Sequence, residues 1–237
     1  MNITGLTLLI PDKPDCERDA IAAVWQHLGG QVLRLGRFWD PPPLDPVRVR
    51  VYGSDSFCLV LQQKIGFPLC SPPDDLLLTI HPDHLKRRVT KRSLGDASGL
   101  DYPAFIKSAI PKLFTSRIYK SHAALLAQVS GLEISTEIIV SEIVHFTREA
   151  RAFVLEGSVL DCSIYEGSGD ADDAEKYIQH LAHSIRLPRS VVIDAGFTDQ
   201  RGWCVLEFNA AWGAGLNGCR PELVWPCIAA ASEPSAD

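Results

Sequence analysis

Two β-rich runs, residues 191–197 and 203–209, flank a short polar loop, and this pair constrains the chain more than any other stretch. A loop over 199–202 closes a hairpin on Thr198 and Trp203. That register sets Asp194 opposite Glu207, and Asn209, two residues further on, points to the same face. Two carboxylates placed directly opposite each other destabilise a hairpin. A hard, oxygen-seeking divalent cation, Mg²⁺ or Mn²⁺, removes the repulsion and takes Asp194, Glu207 and Asn209 as ligands. The plain alternative is a solvent-facing hairpin with two tolerated acids. Trp203, Val205 and Phe208 supply apolar flanks and a glycine-rich loop follows, which favours a lined cavity.

That loop holds Gly213, Gly215 and Gly218 in a literal G-x-G-x-x-G. A dinucleotide site needs a βαβ unit after the motif and an acid about 20 residues on. Only one short helix, over 221–231, is expected before Asp237. The glycines are instead expected to let backbone N–H groups approach an anion or substrate closely.

Formal net charge is −6, so a nucleic-acid-binding surface is not expected. The seven cysteines are odd in number and include no C-x-x-C, which argues against a disulfide framework or a zinc ribbon. A reducing compartment, the cytoplasm, is expected. Residues 1–10 read as a first strand rather than a signal peptide, and no apolar run approaches a membrane span.

From the start, strands at 5–10, 31–35 and 47–52 alternate with helices at 16–28 and 56–65. This pattern predicts a small α/β subdomain over 1–73, with a possible edge strand at 68–70, followed by a larger region over 74–237. Residues 74–92 are expected to be helical in two pieces, the second carrying Lys86, Arg87, Arg88, Lys91 and Arg92. Such a run is either a solvated face or a source of cations turned inward to phosphate. Lys107 sits on a short apolar strand, and Lys112 in the loop after it. A helix at 121–129 and an apolar strand over 137–144, with Glu142, come next. A hairpin then turns at Glu156-Gly157, and Glu149, Arg151 and Phe153 share one of its faces. His180 and His183, on a helix over 172–185, have no third ligand nearby and read as structural or solvated.

Cations first and a metal cage last suit a polyphosphate, yet there is no P-loop and no protein-kinase set. In these residues the chain resembles the ATP-grasp superfamily, and within it the small clade named for one arginine and two lysines. The resemblance covers residues 87–219 and is strongest in the run Leu206-Glu207-Phe208-Asn209-Ala210-Ala211-Trp212 and the glycines after it. It implies an α/β (α+β) ATP-grasp-like fold behind a pre-ATP-grasp-like α/β subdomain. It also implies that Asp194, Glu207 and Asn209 hold Mg²⁺ or Mn²⁺, and that Lys107 and the loop lysine Lys112 meet the phosphates of ATP. Glu142, Ile143 and Val144 correspond to the hinge that meets adenine, and Glu149 to the ribose-binding acid. Arg151 matches an arginine used on phosphate or on the reacting carboxylate. The clade's own arginine falls at Arg88, with Arg87 as the alternative. The phosphate-closing loop, 108–116, departs from larger members in having no glycine.

The implied activity is carboxylate–amine ligation through an acylphosphate, with ADP and phosphate released. Arg151 and Lys112 are the expected catalytic residues. The expected partners are a small-molecule or peptide carboxylate and an amine, with no membrane and no nucleic acid; a homodimer is compatible with this. Two other classes use the same grip on ATP: a non-catalytic nucleotide-binding module and a kinase-like phosphotransferase.

Overall fold

The computed structural model describes residues 3–110 and 113–234. Lys112 therefore lies outside the described residues. The chain forms two compact units, one made of Met1–Pro72, Arg148–Gly196 and Val205–Asp237, the other of Pro73–Thr147 and Phe197–Cys204. Two later segments thus join the first 72 residues in one unit.

In the first unit, strands β1 (Thr7–Pro11), β2 (Gln31–Leu35) and β3 (Val49–Val51) form a parallel sheet in the order β2-β1-β3. Helix α1 (Cys16–His27) starts at Asp15, whose carboxylate accepts the N–H of Arg18, and α2 (Asp55–Ile65) stops at Gly66 with φ 92°. Parallel strands need crossovers, and these helices supply them. The segment after α2, including residues 68–70, is not a strand.

The segments that join this unit include helix α6 (Pro221–Ala230), which packs on α1 with Trp25 and Trp225 edge to face at 6.1 Å. Hydrogen bonds seal the join: the Gly53 N–H donates to Trp212 C=O, and the Val51 N–H to the Ser232 side-chain Oγ. Leu8, Leu9, Ile10, Phe153, Val192, Val224 and Cys227 share one core. Contacts far apart in sequence thus hold this unit together.

A four-stranded sheet carries the later segments, in the order β11-β10-β8-β9: β8 (Arg148–Leu155), β9 (Ser158–Glu166), β10 (Ser190–Thr198) and β11 (Gly202–Asn209). The run Val191–Ala195 is buried throughout, as expected for a central strand covered on both faces. Helix α5 (Asp172–Ser184) lies on β8 and β9 with Ala174, Ile178, Leu181 and Ala182 inward. Phe153 and Val192 point the other way, into the core that holds α6.

The second unit is built on an antiparallel sheet, β4-β7-β5-β6: β4 (Val89–Ser93), β7 (Glu137–Ser141), β5 (Ala104–Ser108) and β6 (Arg117–Tyr119). Two short helices, α3 (Pro82–Leu85) and α4 (His122–Leu126), complete it. Ile106, Ile138, Tyr119, Leu125 and Leu94 form its core on one face. The basic run expected as a helix is a turn and a strand. Lys86 takes a left-handed φ of 47° that ends α3, and Val89–Ser93 then pairs along the whole of β7. Cross-strand pairing of β-branched Val89 and Thr90 outweighs the helix propensity of the surrounding Lys and Arg.

Candidate functional site

On the first unit, Asp194 of β10, Glu207 and Asn209 of β11 and Arg151 of β8 meet on one face. The Asn209 amide Nδ2 donates to Asp194 Oδ2 and Glu207 Oε1, each at 3.1 Å. Arg151 grips Asp194 with both prongs, Nε to Oδ1 at 2.8 Å and Nη2 to Oδ2 at 2.6 Å. Its Nη1 donates to Gly215 C=O at 3.0 Å. The turn between β10 and β11 is closed by the Arg201 N–H on Thr198 C=O, with Gly202 at φ 68°.

Asp194 is 2% exposed, so burial pushes its carboxyl pKa up, against the downward pull of Arg151 and with an upward push from Glu207. Burial lowers the Arg151 pKa, but the Asp194 bonds outweigh it and leave the guanidinium more firmly protonated than usual. The bidentate fork favours the charged carboxylate and so works against the rise that burial imposes.

Glu149 completes this face together with a residue the sequence reading missed. Tyr165 Oη donates to Glu149 Oε2 at 2.6 Å, and the Arg151 guanidinium lies 5.8 Å from the Tyr165 ring centre. A β-bulge creates this arrangement. Ala150 pairs with Ile164 but Glu149 with Glu166, leaving Tyr165 as the extra residue against Glu149. A second irregularity at Phe153/Val154 sets Arg151 across from Ser163. Counting from the turn, where Leu155 pairs with Ser158, would give Cys162.

The glycine-rich loop comes close to a carboxylate of the chain itself. A Cβ on Gly215 would stand 2.7 Å from Glu17 Oε2, and one on Gly218 2.6 Å from Ser163 Oγ. The Asn217 N–H, from a residue at φ 48°, donates to Glu17 Oε1 at 2.8 Å. The anion this loop meets is the chain's own Glu17, on α1.

On the second unit, Arg87 rather than Arg88 shares a face with Lys107. Lys107 lies opposite Ile139 and Phe105 opposite Ser141, while Val89 flanks Ser141 from the other side. Arg87 Nε donates to Ser141 Oγ at 3.2 Å, which fixes it on that face. Its Nη1 donates to Leu85 C=O at 3.1 Å, and its guanidinium lies 6.0 Å from the Phe146 ring centre. Arg88 has the opposite parity, and its backbone N–H donates to Glu142 Oε2 at 3.1 Å. Among the described residues the Lys107 ammonium has no hydrogen-bond or ion-pair partner.

Glu142 is held by Arg201 at 2.7 Å, and that bond, with the Arg88 N–H, keeps its carboxyl below the usual range. Arg201 also donates to Lys86 C=O, while Lys86 Nζ donates to Arg201 C=O, each at 2.6 Å. These bonds tie the 199–201 turn to the residues around Lys86. Ile143 and Val144 follow Glu142 in a segment with no regular structure, and Ile143 is exposed.

No group of three or more His, Cys, Asp or Glu side chains among the described residues could hold a metal. The candidate set is two carboxylates and an amide, oxygen donors that suit Mg²⁺ or Mn²⁺ once a half-turn of the Asn209 amide presents its oxygen.

Residues 84–226 match the model of an ATP-grasp domain, family 2 of the clade named for one arginine and two lysines, and the chain belongs to that family. Among solved structures it is similar to a RimK-domain ATP-grasp protein from Sphaerobacter thermophilus, with TM-score 0.62, 14% identity, and 95% of this chain and 98% of the other covered. D-cycloserine synthetase DcsG gives 0.63, 14%, 95% and 99%. The D-alanine–D-alanine ligase of Bacillus anthracis gives 0.53, 9%, 96% and 97%. No curated protein matches the sequence. These likenesses establish the α/β ATP-grasp fold.

Proposed function

We propose that this protein is an ATP-dependent carboxylate–amine ligase. The observation that carries the reading is the convergence of Asp194, Glu207, Asn209 and Arg151 on one sheet face of an ATP-grasp chain. Two of its structural neighbours are a D-cycloserine synthetase and a D-alanine–D-alanine ligase, and a third is an ATP-grasp ligase complexed with a precursor peptide.

In this reading Lys107 binds the phosphates of ATP as a point charge, with Arg87, on its face, in the role expected of Arg88. Lys112 is the loop lysine that closes on the phosphates. Glu142, Ile143 and Val144 meet adenine, and Glu149 meets ribose. Asp194, Glu207 and Asn209 hold Mg²⁺ or Mn²⁺, which when bound offsets charge on the transferring phosphoryl group. A substrate carboxylate oxygen attacks the γ-phosphorus, the bond to the β-phosphate oxygen breaks, and ADP leaves. An amine then attacks the acyl carbon, loses a proton and expels phosphate, leaving an amide. Arg151 orients the carboxylate or the phosphoryl oxygens, whose charge builds as the bonds change. No side-chain nucleophile is needed.

Both substrates are small molecules or peptide ends. The cytoplasm is the proposed location, since all seven cysteines are free and four are buried. No helix among the described residues is long and apolar enough to cross a membrane.

The test is ATP turnover with Mg²⁺ against pools of amino acids, peptides and small acids, with mass spectrometry of the products. A new amide with ADP and phosphate is expected, and Glu207→Gln should lower turnover about a hundredfold. A phosphorylated product without an amide would make the protein a phosphotransferase. ATP binding without turnover would make it a binding module.

A further inference from the structure

We infer that Arg151 is the built-in competitor of the metal ion: it holds Asp194 while no metal is bound and must let go when one arrives. The inference rests on Asp194, Glu207 and Asn209 being the metal ligands. The guanidinium takes both oxygens of Asp194, at 2.8 and 2.6 Å. Asp194 is 2% exposed, so Arg151 rather than bulk water meets its charge. Without that guanidinium, buried Asp194 and half-buried Glu207, both bonded by the Asn209 amide, would be neighbouring like charges. Arg151 therefore does for the metal-free protein what the cation does for the loaded one.

The two cations cannot both hold Asp194 fully. A divalent ion on its oxygens would stand within a few ångströms of the guanidinium and repel it. The Asn209 amide nitrogen donates to both carboxylates, Asp194 Oδ2 and Glu207 Oε1.

Arg151 also has somewhere to go. Its Nη1 bond to Gly215 C=O does not involve the acids. The nearest carboxylate on its own strand, Glu149, already accepts the Tyr165 hydroxyl at 2.6 Å and competes less well for it. A guanidinium released from Asp194 then favours an incoming anion, a phosphate or a carboxylate. Metal binding leaves a cation unpaired until such an anion arrives, so metal and nucleotide must bind cooperatively, and the coupling is reciprocal.

The test is Mn²⁺ binding by electron paramagnetic resonance on the full chain, with and without a non-hydrolysable ATP analogue. Wild type is expected to bind Mn²⁺ weakly alone and about tenfold more tightly with the analogue. Arg151→Gln should bind Mn²⁺ alone about tenfold more tightly than wild type and lose most of the analogue's effect. Arg151→Lys, which keeps the charge without the fork, should fall between them and decides the matter if Arg151→Gln does not fold. Mn²⁺ binding in these variants equal to or weaker than wild type overturns the exchange while leaving the metal site standing. No Mn²⁺ uptake by wild type even with the analogue overturns the metal site itself, and the exchange with it.

Discussion

The two charged surfaces differ in how their charges are held. On the first unit the acids are satisfied from within: Asp194 is buried, gripped by Arg151 and bonded by Asn209. On the second unit the sheet face leaves Lys107 with no partner among the described residues, although Arg87 beside it is fixed by Ser141 and Leu85. A buried ion pair that loses one member is costly, whereas a solvated lysine contributes little to the fold. The acidic face is part of the core's integrity, whereas the basic face is the one proposed to meet a ligand.

The sharpest way to break this contrast is Asp194→Asn. It leaves the Arg151 guanidinium, 12% exposed, without its counter-charge and should cost about 3 kcal/mol of stability in urea denaturation. A loss close to zero would place the pair among ordinary surface contacts. Lys107→Met should do the reverse. Stability should stay within about 0.5 kcal/mol, while the Kd for an ATP analogue rises about tenfold. Calorimetry showing a stability loss without a binding loss would make Lys107 structural.

Smaller effects sharpen the basic face. Arg87→Gln should weaken nucleotide binding several-fold more than Arg88→Gln, because only Arg87 shares the Lys107 face. A larger effect at Arg88 would favour Arg88, which the sequence puts first with Arg87 as the alternative. The Glu142–Arg201 pair should show in the acid limb of the stability profile. Arg201 depresses the Glu142 pKa on folding, so the stabilisation is complete above the ordinary carboxylate range and lost as pH falls through the depressed value. Arg201→Gln should flatten that limb in thermal melts between neutral and acid pH, and an unchanged limb would mean the pair is fully screened. The smallest effect concerns thiols. Exposed Cys16 should alkylate readily in the native protein, while Cys227, pushed by burial up to about 12, should label only after denaturation.

Much of the site was legible in the chain itself. Parity along 203–209 sets Glu207 and Asn209 together, and the polar turn before them brings Asp194 across. Other parts left no local mark. A bulge inserts Tyr165 against Glu149, and a one-residue slip of that kind reverses the pairing inferred from a turn. Arg201 looks like any turn arginine until Glu142 and Lys86 are found beside it.

Alternation, turn residues and apolar periodicity determined most of the strands and the acid hairpin, and the run around Glu207 and Asn209 carried the resemblance to the ATP-grasp family, because each depends on neighbours within a few residues. Which segments form a unit, which face the basic run presents, and which cation holds Asp194 were decided only in three dimensions. Val89 lies opposite Ser141 and Ser93 opposite Glu137, so the basic run is extended because a distant strand offers it a ladder. Local propensity cannot register so remote a partner. Arg151 likewise reaches Asp194 only because β8 and β10 are neighbours in one sheet.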